Sequence, residues 1–210
     1  MKKALYIFSI TFLLLLLSSC LSTLYPIFHE KDVIFNQQLL GSWKYTDDNQ
    51  QKFIEFKKIP ANRKSELTDA IKKFSDKGYL VSRTDSLGKV ISESFVFLAK
   101  VGKNYFLDFY PAELPSEKKI NSFYKSHQIK KHNSYRIDFT DNNHFEMKRF
   151  DKSFLDKLIS NNKINIRHEV LGGDNIITAS TDELQNFIIQ YSDNPKAFMT
   201  GITCIRTVYY

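Results

Sequence analysis

The chain has little of what holds small or fibrous proteins together. Two cysteines in 210 residues, Cys20 and Cys204, exclude a disulfide scaffold, and seven glycines and five prolines exclude a collagen-like or low-complexity chain. No apolar run reaches the roughly 20 residues that a bilayer-spanning helix needs. Gly-x-Ser-x-Gly elbows, Walker loops, dinucleotide fingerprints and paired cysteines are all missing, so we expect no enzyme and no cofactor. The five histidines, at 29, 127, 132, 144 and 168, fall into no zinc-ligand spacing, and no metal is expected. What remains is 42% apolar and 25% charged, a composition that must fold.

The N-terminus is built as an address. Lys2 and Lys3 precede an uncharged run from Ala4 to Leu17, then Ser18, Ser19 and Cys20. At about 1.5 Å per residue these 14 positions cover only about 21 Å of a hydrocarbon core of about 30 Å. Residues 1–19 therefore read as a signal peptide that is removed, which lowers the net charge from +7 to +5. Leu17-Ser18-Ser19-Cys20 resembles the lipobox of bacterial lipoproteins. That resemblance implies a diacylglyceryl thioether on Cys20, cleavage before it and acylation of the new amino group, by palmitate or a similar chain. An anchor of three chains holds permanently, because each buried methylene contributes about 0.8 kcal/mol. Leu21, not an acidic residue, follows the cysteine. Within the resemblance, this places the protein in the cell envelope, on the outer membrane facing the periplasm.

From Cys20 to Gln38 the chain reads as a short extended tether, since Pro26 keeps Tyr25 from helical dihedrals. Residues 39–210 read as one β-rich domain. Period-two alternation recurs around turn residues: a hairpin about Asp47-Asp48-Asn49, strands at 79–85, 90–101 and 105–110, and a hairpin joining 134–140 to 144–150. Phe95, Phe97 and Ala99 alternate with Val96 and Leu98, so something must lie over both faces of that strand. Asp151 caps a helix bearing Phe154, Leu155, Leu158 and Ile159. Ser180 and Glu183 form a capping box for a second helix with Leu184, Phe187, Ile188 and Tyr191. A strand is expected from Ile164 to Val170, and a closing strand from Ile202 to Tyr209 that returns to the first. Leu67, Ala70, Ile71 and Phe74 have helical spacing, which predicts a helix over 61–77. Residues 52–77 also carry eight basic against four acidic side chains.

Leu39-Leu40-Gly41-Ser42-Trp43 resembles the Gly-x-Trp signature of the first barrel strand in lipocalins. In that family the tryptophan closes one end of the barrel beneath an arginine from near the chain's end, a part that Arg206 can fill here by cation–π stacking. The family's second signature has no counterpart in this chain. Thr23-Leu24-Tyr25-Pro26, Leu39 to Trp43 and Ile177 to Phe187 together resemble a group of bacterial lipoproteins whose function is not established. The fold expected is mainly β with minor α, either an antiparallel lipocalin-like barrel or a strongly curled sheet, with two or three short helices.

Two functions are compatible with these features. A barrel of about eight strands has just room for one small apolar ligand, and Phe53, Phe97, Leu107 and Tyr135 are the candidate lining. Alternatively the barrel is filled by its own aromatics and serves as a scaffold that binds another envelope protein. Nucleic acid is not an expected partner, because the aromatics follow strand periodicity instead of interleaving with the basic residues. Cys204, left without a disulfide partner if Cys20 is lipidated, is expected to be a buried apolar side chain.

Overall fold

A computed structural model describes residues 21–114, 121, 123, 127–171 and 174–207. Twelve strands follow one another: β1 (Ser22–Thr23), β2 (Val33–Ile34), β3 (Gly41–Asp47), β4 (Gln50–Lys58), β5 (Gly78–Thr84), β6 (Val90–Val101), β7 (Asn104–Pro111), β8 (His132–Phe139), β9 (His144–Arg149), β10 (His168–Leu171), β11 (Asp174–Ile177) and β12 (Ile202–Arg206). Strands β3 to β9 pair antiparallel in sequence order. β12 then pairs with both β9 and β3, which closes an eight-stranded antiparallel barrel. The closing strand thus returns to the first, with Arg206 opposite Trp43. The helices described include α1 (Asp69–Lys72), α2 (Lys152–Ser160) and α3 (Thr181–Tyr191). Among the described residues, no helix is long and apolar enough to cross a membrane.

Local chemistry explains the elements. Asp48 and Asn49 take φ of 50° and 58°, the left-handed pair that a two-residue hairpin turn needs. The Asp151 carboxylate accepts from the amides of Ser153 and Phe154 at the start of α2, and Ser180 and Glu183 complete their capping box on α3. Hydrogen bonds from Arg167 and from Ser180 hold the Glu183 carboxyl down at about 2.

Two apolar cores result, one on each side of the barrel wall. The lumen holds Trp43, Ile54, Phe56, Tyr79, Val81, Val96, Leu98, Phe145 and Cys204 among others. The outer core holds Phe28, Ile71, Phe74, Phe95, Phe97, Phe106, Phe150, Leu184 and Phe187, covered by the N-terminal segment and the helices. Residues 95 to 99 of β6 are accordingly 0% exposed throughout.

Three expectations are corrected. The segment read as a tether is part of the fold: β1 runs parallel to β11 and antiparallel to β8, and Leu21, Ile27, Phe28 and Val33 are buried. It forms a strap because the outer face of β6 and β7 is as apolar as the lumen and needs a cover. The helix expected over 61–77 is broken into a 3-10 turn at Ala61–Glu66, the single turn α1, and a 3-10 turn at Ser75–Lys77. Leu67 and Thr68 take extended dihedrals, with ψ of 143° and 155°, while Leu67, Ile71 and Phe74 still reach the outer core. Arg63, bound to Glu66, to Glu93 and to the Glu113 carbonyl, ties this segment to the barrel rim. Finally, the strand expected from Ile164 to Val170 shrinks to β10, and Val170 is 63% exposed.

Gly78 faces Phe97 in the ladder, and a Cβ there would lie 2.7 Å from both the Phe97 ring and Ile59. Phe97 is wedged between Phe28 and Phe74, with centroids at 5.4 and 5.5 Å, and has nowhere to go. Gly78→Ala is therefore expected to cost about 1–3 kcal/mol of stability, read from the urea midpoint, as overpacking does.

Candidate functional site

The two ends of the barrel differ. At the end where β3 and β5 begin and β12 finishes, the segment Asn36–Leu40 lies across the opening with Leu39 fully buried in the lumen. The Trp43 indole N–H donates to the Leu39 carbonyl at 2.9 Å, and the Tyr79 hydroxyl accepts from the Asn36 amide and donates to its carbonyl. The Arg206 guanidinium stacks 4.1 Å over the Trp43 ring. It also donates to the carbonyls of Gln38, Leu40 and Asn142. The plug is thus clamped by one cation that satisfies three carbonyls at once.

The opposite end, where β5 and β7 finish and β6 and β8 begin, opens into a cavity of about 600 Å³. Arg83, Ser92, Ser94, Phe109, Asn133 and Tyr135 line its depth, and Ile91, Leu114 and Ile129 form part of its rim. Arg83 has the same parity as Tyr79 and Val81 on β5, which turns it into the barrel. Its guanidinium lies 5.0 Å from the Phe109 ring centroid and 5.9 Å from that of Tyr135, and those two rings meet edge to face at 5.1 Å. The arginine's charge reaches further down the lumen. Burial pushes the Cys204 thiol up to about 12, against the opposing pull of Arg83, and burial likewise raises the Tyr45 hydroxyl.

The candidate lining residues separate by parity. Leu107 and Tyr135 are opposite one another in the β7–β8 ladder and belong to the lumen core. Phe53 and Phe97 do not line it: Phe53 alternates with the inward Ile54 and Phe56, and Phe97 belongs to the outer core. Below the mouth the lumen is packed with Trp43, Phe56, Tyr79 and Phe145, so an apolar ligand has no deep chamber to enter. The signal that marks Arg83 was present in Tyr79-Leu80-Val81-Ser82-Arg83, whose alternation carries the arginine to the inner face.

A second polar cluster lies outside the barrel wall, beneath the strap. Asp108, 0% exposed, accepts from the Ile27 amide at 3.0 Å and bonds His132 Nδ1 at 2.8 Å. His132 is 4% exposed and packs against the Tyr110 ring. Ser134 Oγ, opposite Asp108 in the ladder, is buried with no hydrogen-bond partner. With all three side chains sealed under the strap, this is a fastening and not a substrate site. Among the described residues, no group of three or more His, Cys, Asp or Glu side chains could hold a metal ion. Cys20 lies outside the described residues. The chain matches no family model, and neither a curated protein nor a solved structure is significantly similar to it.

Proposed function

We propose that the protein is a lipid-anchored envelope protein whose barrel takes up a small ligand at its open mouth. The observation that carries the ligand half of this reading is the asymmetry of the barrel: a clamped plug at one end and a cavity of about 600 Å³ at the other. That volume is in the range of small-molecule sites, and its wall combines aromatic rings with a few convergent polar groups. The ligand is held at the mouth and not deep in the lumen, where aromatic side chains already fill the space.

The anchoring half is supported by the Lys2-Lys3 start, the short apolar run and the Leu17-Ser18-Ser19-Cys20 motif. Leu21 is 2% exposed and β1 begins at Ser22. A lipid on residue 20 would therefore hold the body against the bilayer without a linker, beside the β10–β11 hairpin. Val170 and Leu171 of that hairpin, 63% and 50% exposed, would meet the membrane surface. In cells fed labelled palmitate, the full chain should carry the label and the Cys20→Ser variant none. Label retained by the variant would refute the anchor. Native mass spectrometry of the solubilised protein tests the other half, with a bound small molecule expected.

A scaffold reading has its own observation in favour. β10 forms an edge of the sheet, paired on one side only by β11 among the described residues, and an edge of this kind can accept a strand from a partner protein. A clean mass together with a partner crosslinked at β10 would favour that reading over ligand binding.

A further inference from the structure

We infer that the mouth takes an uncharged single-chain amphiphile, with a polyhydroxylated head bonded by Ser92, Ser94 and Asn133 and a hydrocarbon chain laid across the rim. This rests on the ligand-binding reading above and adds the chemistry of the ligand.

The charged side chains that line the cavity already have partners. Glu93 is held by Arg63 at 2.9 Å and by the Ser82 hydroxyl at 3.2 Å, and Lys130 lies over the Tyr110 ring. Arg83 stacks on Phe109 and Tyr135, and neither it nor Glu113 is free. A charged ligand would have to break one of these pairings and lose its own hydration, which costs more than burying a neutral head. The spare hydrogen-bonding capacity is neutral. Ser92 and Ser94 share the lumen-facing parity of Val96 and Leu98, which sets them on one face of β6 about 7 Å apart. Among the described residues, neither hydroxyl has a hydrogen-bond partner. Asn133 lies two strands away on β8, where its side-chain oxygen accepts from Ser22 Oγ at 2.9 Å and its N–H₂ group is left for a ligand. Two hydroxyls that donate and accept and one amide donor, spread over about 10 Å of wall, suit a head with several hydroxyls, such as a hexose, better than a single one. The rim is apolar and solvated: Ile91 is 46% exposed and Ile129 60%, and Val90 and Leu87, just before Ile91 in the chain, 43% and 92%. Neutral hydrogen-bonding groups beneath an exposed aliphatic collar complement a sugar-like head on a hydrocarbon chain.

Octyl glucoside, octanol and octanoate, which share a chain and differ in the head, are the probes, titrated by calorimetry below their aggregation limits into the full mature chain. Octanol and octanoate are expected to bind through the chain alone, and octyl glucoside about tenfold tighter than either, the value of one or two net hydrogen bonds. Ser92→Ala combined with Ser94→Ala should abolish that preference while leaving octanol binding unchanged, and Ser86→Ala on the neighbouring turn should keep all of it. Equal affinity for octyl glucoside and octanol in the unmodified protein would overturn the head inference and leave the mouth reading standing. Octanoate binding more tightly than octyl glucoside would overturn the uncharged head. A preference that survives in the double variant would overturn the assignment to the two serines. Binding of none of the probes would overturn both this inference and the ligand-binding reading.

Discussion

Trp43→Ala is expected to destabilise the protein by about 3–5 kcal/mol, the range for emptying a large aromatic from a packed core. The ring is 1% exposed, meets Phe145 edge to face at 4.6 Å, and forms the floor on which Arg206 stacks. Its loss also removes the indole donor to the Leu39 carbonyl. The damage should spread, because the plug depends on the same ring: Arg206, no longer seated, loosens its bonds to the carbonyls of Leu40 and Asn142. Urea denaturation followed by far-ultraviolet circular dichroism gives the loss. Arg206→Ala should cost less, since the ring remains packed and the cation is partly solvated. A Trp43→Ala loss below about 1 kcal/mol would mean that the plug is not held from this end.

Asp108→Ala should be comparably severe, at about 3–5 kcal/mol, because a buried charged acceptor with two buried donors is being deleted. The Ile27 amide and His132 Nδ1 would both lose their partner under the strap. Asp108→Asn should cost less, as the amide oxygen still accepts from Ile27 and the imidazole can change tautomer to meet the new N–H₂. Limited proteolysis discriminates this mechanism from general destabilisation. The alanine variant is expected to be cut between residues 22 and 36 under conditions where the barrel itself remains intact. Uniform loss of the whole domain, with no early cut in the strap, would contradict the fastening role.

The architecture was legible in the sequence wherever it is dictated locally. Asp48 and Asn49 announce their hairpin, Asp151 and Ser180 their helix starts, and the alternation of 202 onward the closing strand. The Gly41-Ser42-Trp43 pattern pointed to the end of the barrel where Trp43 and Arg206 now stack. Period two, however, says which residues share a face and not which face is the lumen. Where both faces are apolar, as at Phe95 to Ala99, the choice is made by distant segments, and Phe97 went to the outer core for that reason. The same ambiguity hides the outward parity of Phe53, set by the lumen positions of Ile54 and Phe56. The strap leaves no mark in the sequence because its few apolar residues, Leu21, Ile27, Phe28 and Val33, have no helical or strand period. Only the uncovered outer wall explains their burial. The helix over 61–77 had the right spacing for its buried side chains, but extended residues at Leu67 and Thr68 deliver the same contacts without a continuous helix.

The site was less legible than the fold. Its rim comes from the start of β6 and from residues 111–114 and 128–130, far apart in sequence, and only the pairing of β5 to β8 brings them together. Arg83 reads as an ordinary strand cation until the inner face of β5 is known.

Photocrosslinking with a dodecanoate analogue carrying a diazirine on its chain, followed by peptide mapping, locates the bound molecule directly. We expect adducts on Arg83 and on residues 91–94, 111–114 and 128–130, which surround the mouth, and their suppression by excess unlabelled dodecanoate. Adducts confined to the plugged end, or scattered over the outer surface without competition, would contradict a barrel that binds through its open end.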